Sequence, residues 1–469
     1  ELYDKDGKLV AISQSYKDGT KDGTYKLPPI PAGDYYVRVV SSSVKSTRAG
    51  ATTDLVPVLT YRTDGITAVT NQVGGNKPHL IDALANTSGE ILNPTTFLFN
   101  TGSLNGKPAQ VLQPIKIAEN QTLNNVSFGF NFNTVVNTND KDAGSLRQVL
   151  INTQTLCGEA SLAQASAADG TARPAGKDNI VFMLPTTDPN YKATDKYWQI
   201  VLNTSLPKLS DNIVLDASLQ TGYSTNTRPV VELNGSGIVG VQANGLTLEG
   251  KTTGSVIKGL AINSCTGNGI LINQSQNNIV QKNIIGSDPT NTKTSVGNGG
   301  SGISVTDQIG TNLVGGSNTN EGNTIVNNAG DGVTVTGSGG TNRVSILGNN
   351  IANNTGLGID LGNEIANGGV TANDLNDSDT GANDLLNYPV STEKAFATNG
   401  TRIVAYNVDI DVPAGDYRME VFSSTSKDAS GYGEGQTYVG YKNISHTGAG
   451  KVRFQGTINA NQTVASNAI

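Results

Sequence analysis

The chain has 469 residues, a formal net charge of -7 and a pI near 5.0. This length accommodates two to four domains, and the sequence contains no apolar stretch of about 18 residues, so it predicts no membrane span. The negative charge and the lack of lysine and arginine runs argue against nucleic acid as a partner. Only 15% of the residues are charged and 56 are glycine, a composition that favours turns and strands over helices.

Residues 1–132 contain short runs of alternating apolar residues separated by Asp-Gly and Pro-Ala-Gly-Asp turns, a pattern typical of an antiparallel β-sandwich. The Pro-Ala-Gly-Asp turn at 31–34 precedes an apolar run, and the same four letters return at 413–416 before another such run. We therefore predict a second, Ig-like β-sandwich over 391–469.

A short helix is predicted between the first sandwich and the middle of the chain. Within residues 142–150, Ser145 and Gln148 have the spacing of a capping box, and three apolar residues follow at i, i+3 and i+4 on one face. An amphipathic helix in an otherwise β-rich chain is expected to cap the open end of a neighbouring β-structure.

The middle of the chain contains a repeat. Gly-x-Gly pairs, each followed by an apolar strand, begin at Gly267, Gly300, Gly330 and Gly356. Two further short strands follow in each of the first three repeats, and each is preceded by or starts at an asparagine. A unit of about 22 to 30 residues with three short strands is one turn of a parallel β-helix, in which asparagine amides bond from one turn to the next. We predict this architecture over 133–390.

Residues 245–252, GLTLEGKT, fit the letter pattern of a phosphate-binding P-loop. A P-loop needs a glycine-rich turn between a strand and a helix, because backbone amides and the helix N-terminus hold the phosphates. Here the residues between the two glycines alternate as a strand, and the residues after Thr252 lead to another strand. We interpret the match as accidental.

Two cysteines, Cys157 and Cys265, are too few for a disulfide scaffold, so we expect two buried thiols, and a disulfide between them remains the alternative. The two histidines, His79 and His446, lack the context of a metalloprotease or nucleophile-elbow motif. We interpret both as ordinary strand or loop residues.

The chain resembles large secreted bacterial surface proteins built on a right-handed parallel β-helix in the order of its segments FNFNTVVNTNDKDAGSLRQVLINTQ, NIVFMLP, VVELNGSG, VIKGLAINSCTGNGILI and NNIVQKNIIGSDPTNT. The resemblance continues through GLGIDLGNE, NDLNDSDTGANDLLNYPV and SGYGEGQTYVG, and it is most specific over 135–390. Residues 1–132 are similar to the transthyretin-like B-type repeats of surface adhesins. The resemblance implies an all-β chain with a right-handed β-helix between an N-terminal and a C-terminal antiparallel β-sandwich.

The resemblance also implies an extracellular or cell-surface location and a structural or adhesive role. One hypothesis is a filament or matrix-fibre subunit. The first sandwich is expected to lack its opening strand and the last its closing strand, so copies of the chain, or other surface proteins, would join by strand exchange. The second hypothesis is an adhesin segment that binds a glycan or a protein through loops such as 287–299.

The alternative interpretation of the function is a β-helix enzyme that cleaves polysaccharides. Such an enzyme needs converging carboxylates and usually aromatic platforms for sugar rings. Residues 224–387 contain no Phe, Trp or Tyr, and the carboxylates of the repeats are scattered. Asp331 and Asp360 come nearest to a pair, but their positions in the repeat predict that they do not share a face. We therefore predict a protein without catalytic residues.

One candidate metal site is present. The segment 374–384 places carboxylates and amides at close intervals, and Ca²⁺ takes six to eight oxygen ligands from flexible loops of this kind. We predict Asp374, Asn376, Asp377 and Asp379 as the ligands. The segment lacks the glycine position and the distal glutamate of an EF-hand, and a solvated acidic linker is the alternative.

Overall fold

The computed structural model describes residues 1–19, 21–46, 51, 55–66, 73–79, 103–104, 107–156, 176–223, 228–250, 252–307, 309–337, 343–362, 369–391, 403–425, 431–448 and 450–460. This part of the chain is mostly β-structure in parallel and antiparallel sheets, so the prediction of a β-rich chain is confirmed. The chain forms two compact units, the first comprising Glu1–Glu159 with Ile180–Tyr191 and the second Ala160–Asn179 with Lys192–Ile469.

The N-terminal part of the chain contains, in order, β1 (Leu2–Asp4), β2 (Leu9–Ala11), β3 (Tyr16–Asp18), β4 (Lys21–Thr24), β5 (Gly33–Arg38), β6 (Val58–Arg62), β7 (Ser103–Leu104), β8 (Lys107–Pro108), β9 (Leu112–Ile117), β10 (Phe128–Asn131), β11 (Thr134–Val135), α1 (Leu146–Leu156), β12 (Asp178–Phe182) and β13 (Tyr191–Lys192). A short 3-10 segment covers Ser41–Ser43.

The main sheet of the first unit is antiparallel, with the strand order β2-β1-β5-β9. Successive side chains of a strand point to opposite faces. Leu2 accordingly packs with Tyr35 in one core cluster, whereas Tyr3 packs with Leu112 in another. Strands β6 and β10 pair in a second antiparallel sheet, and Phe128 packs against the cluster of Leu2. Both faces of the main sheet therefore bury apolar side chains.

The two Pro-Ala-Gly-Asp turns have the same local structure. Each precedes a strand, and in each the tyrosine four residues after the proline donates its hydroxyl to the proline carbonyl: Tyr35 to Pro31 at 2.8 Å and Tyr417 to Pro413 at 2.9 Å. The sequence prediction of a recurring turn before a strand is confirmed in both places.

Helix α1 begins where the capping box predicts. The Ser145 hydroxyl accepts the backbone N–H of Gln148 at 3.2 Å, which satisfies one of the free donors of the first turn. The reciprocal half of the box does not form, because the Gln148 side chain donates to Asn152 at 3.1 Å. Leu146, Val149 and Leu150 are buried, as their spacing predicts.

The second unit contains, in order, β14 (Tyr197–Val201), β15 (Ile213–Asp216), β16 (Val231–Asn234), β17 (Leu246–Glu249), β18 (Val256–Lys258), β19 (Leu260–Asn263), β20 (Ile270–Asn273), β21 (Ile279–Gln281), β22 (Ile284–Ile285), β23 (Ile303–Thr306), β24 (Asn312–Gly315), β25 (Thr324–Val326), β26 (Val333–Val335), β27 (Val344–Leu347), β28 (Asn350–Ala352), β29 (Ile359–Asp360), β30 (Val390–Ser391), β31 (Ile403–Ile410), β32 (Gly415–Ser423), β33 (Thr437–His446) and β34 (Val452–Asn459). Short 3-10 segments cover Ala217–Leu219, Gly235–Gly237 and Ala382–Leu385.

The parallel strands of the second unit form three stacks. Stack A runs β15-β18-β21-β24-β27, stack B runs β14-β16-β19-β22-β25-β28, and stack C runs β17-β20-β23-β26-β29. Each stack takes one strand from each of the first three repeats, and the four predicted Gly-x-Gly strands are β20, β23, β26 and β29 of stack C. We call one strand from each stack, taken together, a rung.

Apolar side chains lie in register along each stack. In stack C, Leu248 pairs with Ile272, which pairs with Val305, which pairs with Val335, and each of the four is at most 1% exposed. Parallel strands with buried columns of branched aliphatic residues gain hydrophobic and packing energy at each added rung. The apolar letters after each Gly-x-Gly pair therefore form the core of the stacks.

Buried asparagines form columns beside the strands. Asn283 Nδ2 donates to Asn323 Oδ1 at 3.0 Å, and Asn323 Nδ2 donates to Asn349 Oδ1 at 2.9 Å. The backbone N–H of Asn283 donates to the same Oδ1 of Asn323 at 3.1 Å, which fixes the amide orientation. Two further columns have the same geometry: Asn278–Asn312 and Asn298–Asn328–Asn354. In all three columns the donors point toward the C-terminal rung.

The C-terminal strands are antiparallel, in two groups, β30-β31-β34 and β32-β33. Tyr406, Met419, Ile444 and Ile458 from both groups pack in one buried cluster. His446, one of the two histidines, is buried and lies against the carbonyl oxygen of Ile410 at 3.1 Å, as expected of an ordinary strand residue.

Two smaller expectations concern single segments. The centre of the P-loop-like letters, Leu246–Glu249, is strand β17, and the next described strand after it is β18, so the expectation of two successive strands here is confirmed. Cys265 is a buried free thiol, and burial raises its pKa to about 12. Cys157 lies outside the described residues.

The asparagine column yields a first prediction. Asn323→Ala removes the acceptor of both Asn283 donors and leaves them buried, at a cost of about 1–3 kcal/mol for each unsatisfied group. We expect the free energy of unfolding to fall by about 2–4 kcal/mol in urea denaturation. Asn443→Ala, on an exposed position of β33, is the matched control and should change stability by less than about 0.5 kcal/mol. Equal effects of the two variants would contradict a stabilising role of the column.

Candidate functional site

The acidic segment predicted to bind calcium is a tight loop. Asn376 and Asp377 have positive φ angles of 60° and 52°, a conformation that Asn and Asp tolerate better than most residues. Asn387 holds both sides of the loop: its Oδ1 accepts the Asp374 N–H at 2.9 Å, and its own N–H donates to Asp377 Oδ1 at 2.6 Å. The loop is therefore fixed by its own polar contacts.

The loop brings three of the four predicted ligands together. One carboxylate oxygen from each of Asp374, Asp377 and Asp379 lies within 4.8 Å of the other two. The amide oxygen of the fourth predicted ligand, Asn376, lies beside Gly450, 3.7 Å from where a Cβ on that glycine would be.

The three carboxylates differ in their electrostatics. Burial is the main reason that the pKa of Asp377 is raised, and the neighbouring carboxylates of Asp379 and Asp374 raise it further. The pKa of Asp379 is also raised, by burial and by Asp374. The pKa of Asp374 is lowered, chiefly because the Ser378 hydroxyl donates to it at 2.7 Å. Without a cation, the cluster opposes the ionisation of two of its three members.

The residues fit a hard divalent cation. Oδ1 of Asp379 is buried and has no hydrogen-bond partner in the described part of the chain. An orphaned carboxylate oxygen beside two other carboxylates is a donor set that Ca²⁺ would satisfy, since Ca²⁺ prefers anionic oxygen ligands in a loop. Ca²⁺ bound there would supply the positive charge that the loop lacks.

A second group of charged residues lies on the outer side of stack B, and sequence reasoning missed it. Glu232 is 1% exposed, although it lies between the core residues Val231 and Leu233 on β16. Its Oε2 accepts from the Gln199 amide at 2.9 Å and its Oε1 from Asn263 at 2.8 Å. The sequence signal for Glu232 is a charged residue inside an apolar run. Such a residue is predicted to point away from the core, but the sequence does not indicate which residues pack over it.

The same group includes residues of the loop 287–299. Asp288 is 1% exposed and accepts hydrogen bonds from Thr290 Oγ1 at 2.9 Å, while Lys293 Nζ lies 3.8 Å from its Oδ2. Burial raises the pKa of Tyr197, and Glu232 adds to this effect. Partial burial opposes the charge on Lys293, but Tyr197 and the two carboxylates raise its pKa overall. Lys293 is thus a permanent cation that holds the loop against stack B.

Asp331 and Asp360, the nearest approach to a carboxylate pair in the repeats, belong to neighbouring rungs. Asp331 Oδ2 accepts from Thr334 Oγ1 at 2.9 Å, and Thr334 is the strand neighbour of Asp360 in the next rung. Burial raises the pKa of Asp360 to about 6, and the charge of Asp331 contributes to the shift. That the two carboxyl groups do not share a face stays a prediction.

Comparison with known proteins returns no match: no family model, no curated protein and no solved structure is similar to this chain. Across the described residues, none of the helices has the length and apolar character needed to cross a membrane.

The raised pKa of Asp377 yields a second prediction. A carboxyl group whose pKa is raised by folding stabilises the fold in its protonated form, and this contribution is lost as the pH rises through the folded pKa. In calcium-free buffer at pH 7, Asp377→Asn should therefore raise the melting temperature, by roughly 1–3 °C. Calorimetric titration should show calcium binding to the native chain and not to Asp377→Asn or Asp379→Ala.

Asp195→Asn, at an exposed position outside the cluster, is the charge-matched control and should leave both measurements unchanged. If the native chain binds no Ca²⁺, or if the three variants behave alike, the calcium site does not exist.

Proposed function

We propose that the three parallel stacks wind into a right-handed parallel β-helix over 133–390, between an N-terminal antiparallel β-sandwich over 1–132 and a C-terminal Ig-like β-sandwich over 391–469. Three features support this arrangement: each stack takes one strand from each of the first three repeats, the register is continuous, and the strands on either side are antiparallel. Both groups of antiparallel strands carry buried apolar clusters of their own.

We infer that the protein is a structural component of an extracellular surface, as a subunit of a filament or a matrix fibre. The observation that carries this proposal is the use of the polar residues in the repeats. The asparagines of the columns are buried and bonded to one another, so they serve the stiffness of the stack and not the recognition of a ligand. A stack of this kind grows in one dimension by nearest-neighbour contacts, which suits a rod.

Strand edges supply a route for assembly. Among the described strands, β34 pairs with β31 alone, and β32 pairs with β33 alone. An open strand edge is a template for a strand from another chain. We propose that copies of this chain, or other surface proteins, add strands at these edges. Ca²⁺ in the Asp374, Asp377 and Asp379 loop would stiffen the segment that precedes β30.

An adhesin is the second candidate, and one observation favours it. The loop 287–299 is held at its base by Asp288 and Lys293, while Asn291, Thr292 and Ser295 are exposed. A loop that is anchored and presents amide and hydroxyl groups can bind a glycan without paying to order itself. In this interpretation the β-helix is a rod that presents the loop 287–299 to a glycan.

The proposal includes no catalytic activity. A general acid and base pair needs pKa values near the working pH, so that the base is deprotonated and the acid protonated before reaction. In the charged group on stack B, the pKa values of Lys293 and Tyr197 are both raised, which moves these two groups away from that range. Their role in the proposal is to hold the loop.

A third prediction tests assembly. Negative-stain electron microscopy of the native protein should show filaments, and a calcium chelator should shorten or disperse them. Gln455→Lys/Thr457→Lys, at two exposed positions of β34, should abolish the filaments, because like charges at a strand edge oppose pairing. Thr292→Lys/Ser295→Lys adds the same charge on the exposed loop and should leave them intact. Monodisperse monomers of the native protein in every condition would contradict the filament proposal.

A fourth prediction tests the adhesin alternative. Thr294→Ala/Ser295→Ala removes two exposed hydroxyl groups but keeps the Asp288 anchor, so the fold should be unchanged. If the loop binds a glycan, glycan-array binding by the native chain should fall at least tenfold in this variant, as expected for the loss of about 1.4 kcal/mol. Asn443→Ala is the control. No glycan binding by the native chain, or equal binding by all three proteins, would rule out a glycan-binding loop.

A further inference from the structure

The C-terminal ends of the three stacks are not left open, because residues of the antiparallel region lie against the last rung. The backbone N–H of Ile351 in β28 donates to the carbonyl oxygen of Gly435 at 3.0 Å. One further contact joins β33 to β28: the N–H of Tyr438 donates to Asn350 Oδ1 at 3.3 Å. The last strand of stack B therefore has a partner beyond it.

Glu434 continues the column Asn298–Asn328–Asn354. In that column, the backbone N–H and the Nδ2 of each asparagine donate to Oδ1 of the asparagine in the next rung, as Asn328 does to Asn354 at 3.0 and 2.9 Å. The N–H and the Nδ2 of Asn354 donate in the same way to Oε1 of Glu434, at 3.0 and 3.1 Å. The carboxylate thus stands where the next asparagine amide would be.

The second glycines of the Gly-x-Gly pairs, Gly302, Gly332 and Gly358, also form a column, and Glu434 follows its last member in the same way. A Cβ built on Gly302 would lie 2.8 Å from the carbonyl oxygen of Gly332, and one built on Gly332 would lie 2.5 Å from that of Gly358. A Cβ built on Gly358 would lie 2.8 Å from both the Cα and the carbonyl oxygen of Glu434, which stands between Gly433 and Gly435 just before β33. The backbone of Glu434 therefore occupies the place of the next glycine.

Two backbone N–H groups near the ends of the other columns also donate to side chains of the C-terminal region. The N–H of Gly348, beside Asn349, donates to Glu420 Oε2 at 2.8 Å. The N–H of Val344 in β27 donates to Asn383 Oδ1 at 2.8 Å, and Asn383 Nδ2 donates back to the Val344 carbonyl at 2.8 Å. The amides of Asn349 and Asn312 themselves donate to backbone carbonyls, so here the C-terminal side chains meet the backbone of the last strands.

We propose that Asn383, Glu420 and Glu434 form a surrogate rung that closes the stacks against a second copy of this chain. The reason lies in the direction of the columns. In all three asparagine columns the donors face the C-terminal end of the stacks. An unpaired strand with free donors at that end is a template for a further strand. Two of the three terminating groups are carboxylates, which accept without donating, and so they satisfy the last donors without offering a new one.

This closure goes beyond the proposed filament function and does not depend on it. Its test compares each variant with the native chain at equal concentration, so any assembly that the native chain forms is the baseline. Glu434→Lys replaces the acceptor with a donor. We expect the Asn354 amide to exchange with solvent at least tenfold faster, as follows from the loss of about 1.4 kcal/mol, and light scattering to show larger assemblies than the native chain forms. Glu434→Gln keeps a carbonyl acceptor and should restore native behaviour. Glu119→Lys, at an exposed position, is the charge-matched control.

A second variant keeps the proposal testable if Glu434→Lys fails to fold. Gly358→Ala adds one methyl group against the Glu434 backbone without a change in charge, and it should also speed exchange at Asn354 and enlarge the assemblies. Gly369→Ala is its control, since a Cβ there meets nothing within 4 Å. Native exchange at Asn354 in Gly358→Ala would overturn the surrogate rung. Faster exchange without larger assemblies would overturn its role in blocking a second copy.

Discussion

The interaction on which the second unit depends is the hydrogen bond that a buried asparagine amide donates to the asparagine of the following rung. The amide of Asn323 accepts from Asn283 and donates to Asn349, so no member of the column is satisfied alone. A buried amide without partners costs more than the bond gains, and therefore each rung stabilises its neighbour. The aliphatic columns provide most of the burial, but they would tolerate a shift in register that the amides do not.

A directional column has two ends that differ chemically. Toward the N-terminal rungs the exposed group is an acceptor, while toward the C-terminal rungs it is a donor. A carboxylate occurs where donors remain, since Glu434 accepts from Asn354 at the last rung. A carboxylate is suited to this position because it accepts at both oxygens and its negative charge complements the N–H dipoles that point at it.

Much of this architecture could be predicted from the sequence because it is periodic. The Gly-x-Gly pairs gave the strands of stack C, and the expectation that asparagine amides bond between turns is met in the buried columns. The start of α1 at Ser145 followed from a local rule of four residues. The loop with Asp374, Asp377 and Asp379 was also local, since its carboxylates are close in the chain. Periodicity could not predict contacts between distant segments, such as that of Asn354 with Glu434.

These contacts also determine where the surface of the second unit is available for function. In the rungs the polar residues are largely engaged by the columns, whereas segments that depart from the repeat present polar side chains that the columns do not use. The loop 287–299 and the acidic loop before β30 are two such segments, and each is fixed by polar contacts at its base, through Asp288 in one and Asn387 in the other. Because the bases are rigid while the tips are exposed, either loop can change its tip without disturbing the stacks. A repeat that uses its own polar residues for stability thereby separates the packing of the stacks from the polar groups that its loops present.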